Sequence, residues 1–137
     1  MTETATRRSS RTRARVRVVD EGHPTALRSD ELASEEPMET RLVVAGRPRP
    51  VAVTMRTPGS DFELAAGFLV GEGILAHGNP PSRISYCVDE AVDADQRFNI
   101  VNVEVESLGD ADLRVLDRNF YTSSACGVCG KASIDAL

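Results

Sequence analysis

Two short runs rich in β-branched and apolar residues, at 40–44 and 51–55, stand on either side of Ala45-Gly46-Arg47-Pro48-Arg49-Pro50. A turn of that composition between two such runs predicts a β-hairpin. Pro48 and Pro50 have no N–H to donate, so they belong in the connection or at an exposed edge of any sheet built on that hairpin. A sheet with a marked edge is therefore the first constraint on the fold. Thr57-Pro58-Gly59 breaks the second run. Beyond it, Ser60 and Glu63 have capping-box spacing, and Phe62, Ala65, Ala66 and Leu69 recur on one helical face. That pattern predicts a helix opening near Ser60 and ending at Gly71 or Gly73.

His77-Gly78-Asn79-Pro80-Pro81-Ser82 reads as a loop, and residues 83–88 resume with Ile84, Tyr86 and Val88 in alternation, the signature of a strand. An acidic, polar stretch at 89–95 separates it from a second β-rich run at 98–105, with Val101, Val103 and Val105 on one face. These two runs predict a second hairpin. Cys87, between Tyr86 and Val88, reads as a small buried hydrophobe. Residues 107–112 form a further turn, and 113–121 lead to a cysteine loop. The order of elements predicts a mixed α/β (α+β) fold with a β-rich N-terminal part.

Composition limits what surrounds these elements. A chain of 137 residues, 41% hydrophobic and only 4% aromatic, holds no more than one ordinary domain. Arg7, Arg8, Arg11, Arg13, Arg15 and Arg17 crowd the start, yet the total charge is -5, so the remainder is strongly acidic. Without interleaved aromatics, a recognition helix or a basic body, the arginines do not make a nucleic-acid binder. Residues 1–28 are instead expected to be a solvated, disordered arginine-rich tail and leading segment, with the folded part in 29–137. The start lacks the apolar stretch of a secretion signal, and no apolar run approaches the ~18 residues of a membrane span. Three cysteines, two of them in one loop, fit a reducing compartment. The expectation is a cytoplasmic protein with no membrane partner.

The cysteine loop is the expected seat of chemistry. Cys126-Gly127-Val128-Cys129-Gly130-Lys131 follows Thr122-Ser123-Ser124 and precedes Ala132-Ser133-Ile134. A thiol reacts as its thiolate, and two cysteines separated by two residues can share a proton, exchange a disulfide or pass a sulfur atom. Lys131 and a helix opening near it would both favour a thiolate, through positive charge and unpaired backbone N–H groups. A zinc knuckle would need two more ligands, and only Cys87, His23 and His77 remain, without a second paired spacing. No metal site is expected. A dithiol redox loop normally sits early in a βαβ unit, whereas this one comes last. Spacing alone leaves redox exchange, sulfur transfer and a non-catalytic loop open. The helix begun at Ala132 stops at Leu137, too short to bury a face, so residues 29–137 are read as the first portion of a longer domain.

Met55-Arg56-Thr57-Pro58-Gly59-Ser60-Asp61-Phe62-Glu63-Leu64-Ala65-Ala66-Gly67-Phe68-Leu69 with Glu72-Gly73-Ile74, and then Ser123-Ser124-Ala125-Cys126-Gly127-Val128-Cys129-Gly130-Lys131-Ala132-Ser133-Ile134, resemble the FdhD family. Glu35-Glu36-Pro37-Met38-Glu39 is similar to that family's acidic-proline lead into its first strands, and the likeness runs from about residue 13 to 137. The resemblance implies a sulfurtransferase, a carrier that takes sulfur from a cysteine desulfurase and delivers it to the molybdenum bis(guanine dinucleotide) cofactor for formate dehydrogenase. It implies that Cys126 carries the persulfide and that Cys129 is the second relay or resolving thiol. No covalently held cofactor is implied, and a homodimer is left open. The family fold is similar to cytidine deaminases, which implies that this chain holds an incomplete layered domain of that kind. The zinc deaminase His-x-Glu and Pro-Cys-x-x-Cys pairs are absent, so deaminase chemistry is not expected. Ser60 stands where members commonly carry an acidic residue, and Ala125 where they carry serine before the first cysteine. Members also continue well beyond the cysteine motif, and the resemblance places cofactor binding in that continuation.

Overall fold

The structure is a computed structural model of the 137-residue chain, and it describes residues 9–76 and 78–108. Eight elements follow in order: β1 (Arg11–Val18), β2 (Ala26–Ala33), β3 (Glu36–Val44), β4 (Arg47–Arg56), α1 (Asp61–Gly71), β5 (Arg83–Tyr86), α2 (Ala94–Arg97) and β6 (Ile100–Val105). This is a mixed α/β fold, rich in strand. The expected first hairpin is β3–β4, closed by a two-residue turn in which Ala45 and Gly46 both have positive φ, at 50° and 73°. That is the geometry whose twist matches the flanking strands. Pro48 and Pro50 lie within β4, and β4 is an outer strand of the four-stranded sheet β4-β3-β6-β5. Val51 is an extra residue opposite the Thr40–Arg41 step, a bulge that turns the strand just after the prolines.

The second expected hairpin is β5–β6, antiparallel from Arg83↔Glu104 to Tyr86↔Val101. The pairing that joins the two hairpins into one sheet is parallel, β3 against β6, from Glu39↔Ile100 to Val44↔Val105. α1 therefore connects one outer strand of the sheet to the other and packs over β6. On its side of the sheet the register lines up Met38, Leu42, Ala52, Val101, Val103 and Val105. These side chains are buried with Ala65 and Leu69 of the helix. Each fully buried aliphatic chain of this kind contributes about 1.5–3 kcal/mol. The other face of the sheet carries Glu39, Val53, Ile100 and Cys87, all buried as well. Cys87 is thus a buried thiol, as its sequence setting suggested.

α1 ends at the expected glycines, but its start differs from a simple capping-box reading. Ser60 occupies the N-cap position, but its side chain makes no capping bond. The end of α1 is the stronger signal. The Gly73 N–H reaches the Val70 carbonyl at 3.0 Å and the Ile74 N–H reaches the Leu69 carbonyl at 2.9 Å. These two bonds, with Gly73 at φ 71°, make a Schellman cap, and Ile74 packs with Leu69 in the core as that motif favours. Gly73→Ala is expected to destabilise the chain by about 1–2 kcal/mol. The cost is one of backbone conformation, because an added Cβ would meet nothing within 4 Å. Gly67→Ala, within the helix and equally unobstructed, should stabilise by about 0.5–1 kcal/mol. Urea denaturation of the two variants beside the parent measures both signs.

One expectation is corrected by the fold. The arginine-rich stretch is not a featureless tail over its second half, because β1 pairs antiparallel with β2 from Arg11↔Ala33 to Val18↔Ala26. Its alternation explains the difference. Arg11, Arg13, Arg15 and Arg17 take one face, while Ala14, Val16 and Val18 take the other and are half-buried. A period-two pattern with a modest apolar face is a strand signal, and it fits the two-stranded ribbon.

Candidate functional site

The break at Thr57-Pro58-Gly59 brings two charges of the long motif together. Arg56 is the last residue of β4 and Asp61 the first of α1, and their side chains are only 3% and 2% exposed. The guanidinium grips the carboxylate with both forks, Nε to Oδ1 at 3.2 Å and Nη2 to Oδ2 at 3.0 Å. Burial at this depth demands that the remaining donors also be used. The second Nη2 N–H is shared between the Phe98 carbonyl and Asn99 Oδ1, each 3.1 Å from Nη2, and Nη1 donates to the Glu36 carbonyl at 3.4 Å. One arginine thereby fastens the end of β4 to the start of α1, the start of β3 and the turn into β6.

Asp61 closes the same network from its own side. Oδ1 accepts the Gly59 N–H at 3.2 Å, and Oδ2 accepts the Tyr86 hydroxyl at 3.1 Å. The Tyr86 ring lies between Phe62, at 4.8 Å, and Phe98, at 5.0 Å edge-on. The end of β5 is thus tied to the helix start by a hydrogen bond and two ring contacts. Above this floor lies a cavity of about 210 Å³ lined by Gly59, Asp61, Phe62, Glu63 and Tyr86. With both carboxylate oxygens engaged, Asp61 is suited to holding the cavity wall in place and not to taking a proton from a ligand. Tyr86→Phe keeps both ring contacts and removes one hydrogen bond to a charged acceptor, so it should cost about 1.5 kcal/mol. Thermal unfolding of the variant checks this.

The residues expected from sequence to carry the chemistry, Cys126 and Cys129, lie outside the described residues, as do Lys131 and His77. The described cysteine, Cys87, is buried and free, and His23 is exposed in the β1–β2 turn region. Among the described residues, no group of three or more His, Cys, Asp or Glu is arranged to hold a metal, and no helix is long and apolar enough to cross a membrane. Arg56 and Asp61 fall within the long motif at 55–69, but nothing in their spacing alone marks them as a pair. The signal that marks them is a charge on each side of a Pro-Gly break, at a strand end and a helix start, where a buried pair would fix the corner.

Comparison with known proteins places this scaffold. The sequence model of the FdhD/NarQ family matches residues 35–137. A sulfur carrier protein FdhD from Streptomyces coelicolor is 48% identical over 110 residues, covering 80% of this chain and 38% of that protein. Its counterpart from Mycolicibacterium paratuberculosis is 48% identical over 111 residues, covering 80% and 39%. The chain therefore spans less than half the length of the relatives it matches. The solved structure of a formate dehydrogenase accessory protein from Desulfotalea psychrophila superposes with a TM-score of 0.52 at 18% identity, over 71% of this chain and 35% of that one. That likeness concerns the fold. With the family match running through both the Arg56–Asp61 corner and the cysteine loop, this chain belongs to the FdhD/NarQ family.

Proposed function

We propose that the chain is a sulfurtransferase that carries sulfur on Cys126 from a cysteine desulfurase to the molybdenum bis(guanine dinucleotide) cofactor used by formate dehydrogenase. The observation that supports this reading most is that the family match at 35–137 takes in Cys126-Gly127-Val128-Cys129, on a chain whose relatives are sulfur carrier proteins. The chemistry is a pair of thiol exchanges. The Cys126 thiolate attacks the outer sulfur of the donor's persulfide, a new S–S bond forms, and the donor cysteine leaves as a thiolate. One neutral sulfur moves and no oxidant is consumed. Cys129 then attacks Cys126 Sγ, the internal disulfide closes and the carried sulfur departs as hydrosulfide toward the cofactor. A dithiol reductant restores the pair. In this scheme the cofactor is the substrate that accepts sulfur, and the desulfurase and formate dehydrogenase are the partners.

The test is to incubate the chain with a cysteine desulfurase and cysteine, then measure intact mass and map peptides. The expected result is one added sulfur on Cys126, removed by a dithiol. A folded chain that takes up no sulfur would sink the proposal. Cycling of an internal Cys126–Cys129 disulfide without sulfur uptake would favour a dithiol redox protein, and neither activity would mark a non-catalytic fragment.

A further inference from the structure

We infer that the arginine face of the β1–β2 ribbon is a docking surface for an acidic, extended segment of another protein, which adds as a third strand beside β1. The ribbon lies ahead of residue 35, where the family match begins. Among the described residues it is a two-stranded sheet, so β1 pairs with β2 on one side and its other edge is open. An open edge offers unpaired backbone donors and acceptors to an added strand. Side chains give that edge its selectivity. Arg11, Arg13, Arg15 and Arg17 share one face and are exposed, Arg11 at 73% and Arg13 at 78%. Glu31 serves both of those, at 3.3 and 4.0 Å. Arg15 lies opposite Ser29 and Arg17 opposite Leu27, and neither has an acidic partner among the described residues.

The spacing selects the occupant. Alternate residues on a strand recur every ~6.8 Å, the same repeat as alternate side chains of an added strand. A partner with Asp or Glu at every second position therefore sets one carboxylate beside each guanidinium, whose fork donates two bonds to it. A second copy of β1 would place arginine against arginine, which disfavours self-pairing. Nucleic acid fits less well. The ribbon offers no Phe, Tyr or Trp for a base to stack on. At its root the ribbon opens on a second cavity, of about 380 Å³, lined by Ser10, Arg11, Glu31, Ala33 and Thr57. Thr57 is two residues from Gly59, so a segment docked along β1 would end beside the corner that holds the first cavity.

The experiment titrates the full chain with a fluorescent peptide alternating Glu and Thr, at low salt, beside a peptide of the same composition with its glutamates in one block. A third peptide carries N-methyl groups at alternate residues, and a single-stranded oligonucleotide of similar length is the fourth ligand. The alternating peptide should bind most tightly, and N-methylation on the pairing side should abolish binding. The double variant Arg15→Thr/Arg17→Thr keeps good strand formers and should weaken binding roughly tenfold, with thermal unfolding of the chain unchanged. The inference is overturned if the peptide does not bind, if the double variant or N-methylation leaves affinity unchanged, or if the blocked peptide or the oligonucleotide binds more tightly.

Discussion

Asp61→Ala is expected to lower the free energy of unfolding by about 3–5 kcal/mol, the range for removing one partner of a buried ion pair. The loss is large because the deletion strands more than a charge. The Arg56 Nε–H, in a side chain 3% exposed in the parent, loses its bond to Oδ1, and the Gly59 N–H and the Tyr86 hydroxyl each lose the bond they make to this carboxylate. Domains of ordinary size are stable by about 5–15 kcal/mol, so this one change consumes a large part of the margin. Asp61→Asn keeps an acceptor in the same place and should cost less. Replacing both, as Arg56→Met/Asp61→Leu, should recover part of the loss by eliminating a buried guanidinium left with only the longer pair to Glu36 at 3.9 Å. The recovery is incomplete because the Phe98 carbonyl and Asn99 Oδ1 then lose their donor. A double-mutant cycle by urea denaturation measures the coupling, expected within about 0.5–3 kcal/mol. If Asp61→Ala costs less than about 1 kcal/mol, the corner is not held as the geometry indicates.

How much of this could be read in the chain depended on distance along it. The β3–β4 hairpin, α1 and the β5–β6 hairpin announced themselves because each signal is local: a turn between two alternating runs, or apolar residues at helical spacing. The parallel β3–β6 pairing did not, since Leu42 and Val103 are separated by β4, α1, β5 and α2 and no residue between them encodes that register. The β1–β2 ribbon was missed for a different reason. Its arginines weighed as composition suggested a solvated tail, whereas their alternation with Ala14, Val16 and Val18 carried a strand signal. At the site, capping spacing pointed to Ser60, but the structure gives the anchoring to Asp61, one residue on. A carboxylate that caps from outside and one that is buried against an arginine look alike in sequence until the partner's burial is known. Cys126 and Cys129 stood out because paired thiols are rare, but they lie outside the described residues, and their role rests on the motif and the resemblance.

Exchange of Cys126 and of Cys129 should have unequal effects, and the inequality is the sharpest test of the relay. Cys126→Ser removes the sulfur that attacks the donor, so uptake of sulfur should fall to background, since a hydroxyl at neutral pH is not an activated nucleophile and forms no persulfide. Cys129→Ser leaves that attack intact. It should load normally and then hold its persulfide, with hydrosulfide release slowed at least about tenfold, equivalent to about 1.4 kcal/mol on the barrier. The two variants thus separate acceptance from release. A dithiol redox protein predicts a different pattern, in which either substitution abolishes the internal disulfide and both variants fail alike. Intact mass after desulfurase treatment, followed by timed hydrosulfide release over a single turnover with no added thiol, reads both steps. Equal loss of loading in the two variants would remove the assignment of Cys126 as carrier, and loading that persists in Cys126→Ser would move the carried sulfur to another thiol. Cys87 is the only other cysteine, and its burial beneath the sheet makes it a poor acceptor for a donor the size of a protein.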